Sequence, residues 1–541
     1  MKRSVLYILC SLVTTLLVAS CCPKNPAPNS VKTAHGNTDW HIDTAEEFLT
    51  GNDINGNPSA SNHCPDTWTK THMHVGLTNT NTYYYDKGVT AAGQDNLSTN
   101  GIDKPMLFFY AGHGAPTLFN TLGNSAYLTN MRLGNCQGSN DGTLRYYWQC
   151  SCEVFAHGPK TCTGIPYDYA CPGDFDGSPD SDNMRNVYER WGPILNPALR
   201  MACGSSTLAY CHEGETNKIW DNYNNKGYDV ADAFIDGLHR YTWNTPLCIT
   251  TGGLFVSGTP LFDNTFTNAP NPSGSYYHIQ YLSNFATTAP SIFEVIIPEF
   301  LPIYELIPLP LPDPLRKYKF VEKDDWMYST DEIKGRGPAI KVNRISGAVY
   351  LLGEQRFDEK AKPLEEKEYI SLAERFIENQ GLTEKDISKP AGTRMVIQRI
   401  SREEKQPDIQ KFQKNVTLTF KRQITLDSKT VPFVGEGGLI SIQLNNDGTL
   451  FNASKVWRQI KEISRTTRAK TYEQAYNEAL AQIKERDAYK LADWTWGYEE
   501  QAGNVRQTEL KAVFIFNFLP ADPEKIIDYP PRIIKISAHI E

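Results

Sequence analysis

Nine of the twelve cysteines in this 541-residue chain fall between Cys64 and Cys248, and none occurs after Cys248. In an oxidising compartment such a cluster becomes a set of disulfides. The first half is therefore expected to be a stapled domain, and the second must stand on packing alone. Nine is odd, so at least one thiol is left over: free, reactive, or paired with Cys22. Charge divides the chain in a similar place. Residues 1–300 hold 16 Lys+Arg against 26 Asp+Glu, and residues 301–541 hold 38 against 36. A step of this kind marks a domain boundary. The length suits two or three domains. The net charge is −8 and neither half is strongly basic, so nucleic acid is not an expected partner.

The first residues form a targeting segment. Lys2-Arg3 are a positive start, and the apolar run Val5 to Val18 is too short for a confident membrane span. Residues 1–20 thus read as a signal peptide ending in Val18-Ala19-Ser20 before Cys21. That ending resembles a bacterial lipobox, which implies cleavage before Cys21 and lipid modification of its thiol. The mature protein would then sit in the cell envelope, outside the cytoplasm, held to a membrane by acyl chains. An ordinary secretory signal is the alternative. Residues 21–38 are polar and rich in Pro and Asn, as a tether would be.

Residues 39–290 alternate short apolar runs with helical patterns. Met106–Tyr110, Tyr146–Cys150, Leu199–Cys203 and Leu247–Thr251 predict buried strands. Residues 229–241 place Val230, Ala233, Phe234 and Leu238 at helical spacing, and 184–191 offers a second helix. Strands separated by helices predict an α/β sheet. Residues 291–315 hold six prolines after Ile297, which predicts an extended linker. Residues 316–541 predict an α+β region. A helix over 362–380 is closed by Gly381 and followed by strands around 415–426 and 438–444, then the turn Asn446-Asp447-Gly448. A helix over 472–486 opens with a Thr471/Gln474 capping box and is followed by strands at 510–519 and 532–540. Helix-then-sheet, twice over, resembles tandem PepSY-type modules in pattern and length.

The chemistry centres on "FFYAGHGAP" (108–116), where an apolar run stops on Gly112-His113-Gly114. In an open α/β sheet, ligands and catalytic groups gather beyond the carboxyl ends of strands. Flanking glycines allow a sharp turn and close approach to a substrate. A cysteine nucleophile needs such a base nearby, and the next strand run, "RYYWQCSCEVF" (145–155), carries Cys150 and Cys152. "AGHG" and "SCE" at this spacing resemble the caspase–legumain–gingipain superfamily of cysteine peptidases, over roughly 100–250. The resemblance implies a caspase-like sheet with flanking helices and a peptide or protein substrate. It also implies His113 as general base and Cys152 as nucleophile, with the N–H groups of Gly114 and Cys152 facing the oxyanion. Departures are visible: Gln149 stands three residues before Cys152, and no Gly-Ser follows it. Cys150 and Cys203, the latter in "MACGSS" (201–206), are rival nucleophiles. An envelope-binding or scaffold lipoprotein on a degenerate version of the same fold, with every cysteine bridged, is the competing expectation.

Two further clusters invite metal. His63, Cys64, His72 and His74 include a His-x-His pair that would share one face of a strand. Asp174, Asp176, Asp180 and Asp182 surround Gly177 with oxygen ligands suited to calcium, though not at EF-hand spacing; a solvated acidic loop is the plainer reading. The peptidase reading requires no cofactor.

Overall fold

The protein is described here by a computed structural model. It describes residues 29–35, 39–52, 55, 62–72, 105–112, 114–115, 118–121, 124–127, 144–151, 155, 191, 199–205, 213–239, 246–250, 266, 276–284, 297–333, 337–384, 387–401, 409–521 and 532–540. The fold is mixed α/β and strand-rich, with two large sheets.

Among the described residues, fifteen strands form the first sheet. In chain order they are β1 Ser30–His35, β2 Thr69–His72, β3 Leu107–Ala111, β4 Tyr146–Cys150, β5 Met201–Ser205, β6 Pro246–Thr250, β7 Tyr276–Asn284, β8 Phe320–Lys323, β9 Trp326–Ser329, β10 Ile340–Asn343, β11 Val349–Leu352, β12 Ala391–Ser401, β13 Ile409–Lys421, β14 Leu439–Asn445 and β15 Leu450–Val456. Their spatial order is β8-β9-β10-β11-β15-β14-β13-β12-β7-β6-β5-β4-β3-β1-β2. Strands β2, β1, β3, β4 and β5 are parallel, and the pairings from β5 onward to β8 are antiparallel.

The four apolar runs of the first half do form strands, within two residues of the expected bounds. β3 and β4 are buried along their whole length, as expected of parallel strands covered on both faces. Helices α1 (Asp39–Thr50), α2 (Glu213–Asn224) and α3 (Val230–Leu238) belong to the first core. There Phe48 stacks on Phe109 with ring centroids 3.9 Å apart, and Trp148 and Trp220 fill the space beside them. Asp229 caps α3, its carboxylate accepting from the Asp232 N–H at 2.8 Å. Of the expected 184–191 helix, only Trp191 lies within the described residues.

Three expectations are corrected. Residues 30–35, expected in the tether, are the buried strand β1, paired between β2 and β3. The sequence "SVKTAH" hides this because Lys32, Thr33 and His35 are polar yet buried. Residues 300–307, expected in the proline linker, form a strand of the second sheet. Pro302 fits there because pairing on one flank reaches only Tyr304 and Glu305, so its missing N–H breaks no ladder on that side. Thirdly, the two halves share one sheet: β7 pairs with β12 from Tyr276↔Ser401 to Asn284↔Thr393.

The second half contains the helix-then-sheet unit twice. α4 (Glu366–Asn379) covers a core with β13 and β14 residues, and Gly381 follows it at φ +64°. α5 (Tyr472–Ala481) opens on the expected box: Gln474 accepts from the Thr471 N–H at 2.9 Å, and Thr471 accepts from the Gln474 N–H at 3.2 Å. It ends five residues earlier than the sequence predicts. The second sheet runs Gln423–Leu426, Lys429–Val434, Tyr489–Glu499, Glu509–Pro520, Phe300–Ile307, Gln459–Arg468, with Arg532–Ser537 also paired to Glu509–Pro520. No helix among the described residues is long and apolar enough to cross a membrane.

Candidate functional site

The parallel strands end together along one edge. His35 closes β1, Ala111 closes β3 and Cys150 closes β4, and these three are register partners across the sheet. Beyond them the Gly112 N–H donates to the Cys150 carbonyl at 3.1 Å, so the exits of β3 and β4 are clamped to each other. Ser151 follows and is buried. The chain is tied to the sheet again at Phe155, whose N–H donates to the Ser205 carbonyl at the end of β5 at 3.0 Å. The Phe155 ring stacks on Trp191 with centroids 4.3 Å apart. Gly204 is required beneath it: a Cβ there would lie 2.4 Å from Cδ2 of Phe155.

These anchors bracket the two expected catalytic residues by chain position. His113 and Cys152 themselves lie outside the described residues. So do Cys21, Asp174, Asp176, Asp180 and Asp182. Gly114 begins a two-residue strand and pairs with Phe119.

The rival nucleophiles are accounted for. Cys203 is disulfide-bonded to Cys248, its register partner on β6, across a Cα separation of 4.0 Å. Cys150 is also disulfide-bonded, to a cysteine outside the described residues. Neither offers a thiolate while those bonds stand. Cys64 is free but buried, and burial pushes its thiol up to about 12, which leaves it inert at neutral pH. Cys203→Ser combined with Cys248→Ser is expected to lower stability by roughly 2–4 kcal/mol, readable as a shift in the urea midpoint. An unchanged midpoint would mean that the bond does not constrain the unfolded chain.

The histidine–cysteine cluster shows no metal geometry in its described part. His63 Nδ1 lies 2.8 Å from the Cys64 carbonyl oxygen and 3.8 Å from Asp66. Among the described residues, no three His, Cys, Asp or Glu side chains are grouped to hold an ion.

Sequence reasoning missed one prominent charged cluster. Asp229 and Asp232 at the start of α3 meet Lys414 of β13 in the interior. The lysine stands 182 residues or more further along the chain than the acids, so no local signal joined them.

No family model matches the chain, and no curated protein matches it. Among solved structures the chain is similar to an uncharacterized protein from Eubacterium rectale, at 7% identity and a TM-score of 0.28. That match covers 44% of this chain and 83% of the other.

Proposed function

We propose that this chain is an exported, lipid-anchored cysteine endopeptidase, with Cys152 as nucleophile, His113 as general base and Cys21 as the acylated residue. One observation carries the catalytic part. Ala111 and Cys150 are register partners at the carboxyl ends of neighbouring parallel strands, and His113 and Cys152 each follow two residues later in the sequence. A strand ending in His-Gly beside a strand ending in a small residue and cysteine is the pattern of the caspase-like peptidases. The Cys203–Cys248 disulfide removes Cys203 as a rival nucleophile.

In this reading His113 takes the Cys152 proton, and the thiolate attacks the scissile carbonyl carbon. The tetrahedral oxyanion collapses to a thioester as the amine departs with the proton from His113. Water, deprotonated by His113, then attacks the thioester, releases the acid and restores the thiol. The tandem helix-and-sheet region, PepSY-like in pattern, would restrain or dock the catalytic part. The same disulfides also suit a fully bridged scaffold protein, so the thiols decide. On the folded, unreduced chain, iodoacetamide is expected to alkylate Cys152 rapidly at neutral pH, and His113→Ala to slow that labelling by ~100-fold or more. A bridged Cys152, or labelling indifferent to His113, would replace the peptidase with the scaffold.

A further inference from the structure

The seam between the two halves of the chain is held by a buried charge cluster with one acid too many. From the first half come Asp229 and Asp232 of α3 and Gln280 of β7; from the second come Gln355, Lys414 and Asn415 of β13, and Gln443 of β14. Lys414 Nζ bonds Asp229 Oδ2, and it lies 2.9 Å from Asp232 Oδ1 and 3.2 Å from Gln280 Oε1. Gln355 donates to Asp229 Oδ2 at 2.6 Å. Asn415 and Gln443 donate to Asp232 Oδ2 at 2.7 and 3.3 Å. Both aspartates and the lysine are buried.

The backbone is shaped for this meeting. Met395 pairs with Asn415 and Val396 with Gln413, so Lys414 is the extra residue of a β-bulge. Consecutive residues on a regular strand point to opposite faces. The bulge breaks that alternation, and Lys414 and Asn415 both reach Asp232.

Two carboxylates against one ammonium leave an uncompensated negative charge in a dry site, which is strongly disfavoured unless a proton is taken up. We infer that this cluster is a proton-operated latch, tight when one carboxyl is protonated and loosened when both ionise, which sets how firmly the second half is docked on the α/β part. It stands independently of the peptidase reading. The ionisable groups facing the two aspartates are Lys414 and, next along the chain, Tyr228, which Asp232 also influences. Burial pushes the Asp229 carboxyl up to about 7; the Asp232 charge adds to the rise and Lys414 opposes it. Burial works against the charge on Lys414, but the two aspartates outweigh it and hold the ammonium above its ordinary range.

The sign follows. Between the ordinary aspartate range near pH ~4 and about 7, the closed seam binds a proton that the opened seam does not. Closure therefore weakens as pH rises through that window and changes no further above it. Hydrogen exchange on the full-length chain at pH 5 and pH 8, corrected for intrinsic rates, reads this directly. Opening of Tyr276–Asn284 and Ala391–Ser401 is expected to rise by ~10-fold or more, while Glu509–Pro520 in the second sheet stays level. In Asp229→Asn the seam should show the same protection at both values. Seam and reference strands moving together, or a flat seam in the native chain, would overturn the latch. The native comparison needs no variant, so it decides even if Asp229→Asn does not fold.

Discussion

Lys414→Met is expected to cost the folded chain about 3–5 kcal/mol at pH 7, the usual range for stripping one partner from a buried ion pair. Methionine nearly fills the space, so the loss is electrostatic in origin. Asp229 and Asp232 would keep their amide donors, Gln355, Asn415 and Gln443, and lose their only cation among the described residues. The loss should shrink at pH 5, where a carboxyl can be buried neutral. Urea unfolding followed by tryptophan fluorescence measures both values, and urea adds no salt to screen the charges. A cost under ~1 kcal/mol at both pH values would show that water reaches the cluster, as for an exposed pair.

A comparable loss, about 3–5 kcal/mol, is expected for Glu500→Ala. Glu500 is buried and accepts the Arg458 backbone N–H at 2.7 Å, with Arg422 Nη1 at 3.3 Å and Arg458 Nη1 at 3.4 Å. Burial pushes its carboxyl above the usual range in spite of both guanidiniums. Arg458 stands where the chain leaves β15 of the first sheet for Gln459–Arg468 of the second. Removing the carboxylate leaves two cations at that crossing, with Arg422 still between the rings of Phe433 and Trp457. Glu500→Gln keeps the acceptor for the Arg458 N–H and should lose less. Equal losses in the two variants would assign the whole effect to the charge, since glutamine keeps the volume and the acceptor.

What local pattern determines was legible in these residues; what distant partners determine was not. Tyr146–Cys150 announced itself because its run of large apolar side chains suits a strand covered on both faces. Thr471 and Gln474 announced α5 because capping is a four-residue affair. β1 did not, since Lys32, Thr33 and His35 are polar and yet buried. The Phe300–Ile307 strand was masked by prolines whose harm depends on which flank is paired. The charge step at residue 300 suggested separate bodies, but β7 and β12, with residues 285–390 between them, had still to find each other. At the site, the resemblance of "AGHG" and "SCE" to the caspase-like pattern nominated His113 and Cys152. Their strands' adjacency is a property of the sheet, where Ala111 faces Cys150. The Lys414 bulge has no sequence signature at all: one surplus residue in a strand looks like any other.

The early start of β1 has a geometric consequence for an anchored protein. Ser30 lies nine positions after Cys21, and even fully extended that span reaches only ~32 Å. In the proposed anchored form, acyl chains on Cys21 would leash the bilayer to the amino edge of the parallel strands. Since β1, β3, β4 and β5 all run the same way, the opposite edge, from which Gly112 and Ser151 lead on, would be the one without a leash. On the proposed peptidase reading, a substrate arriving from solution would meet that edge without having to pass between the protein and the membrane.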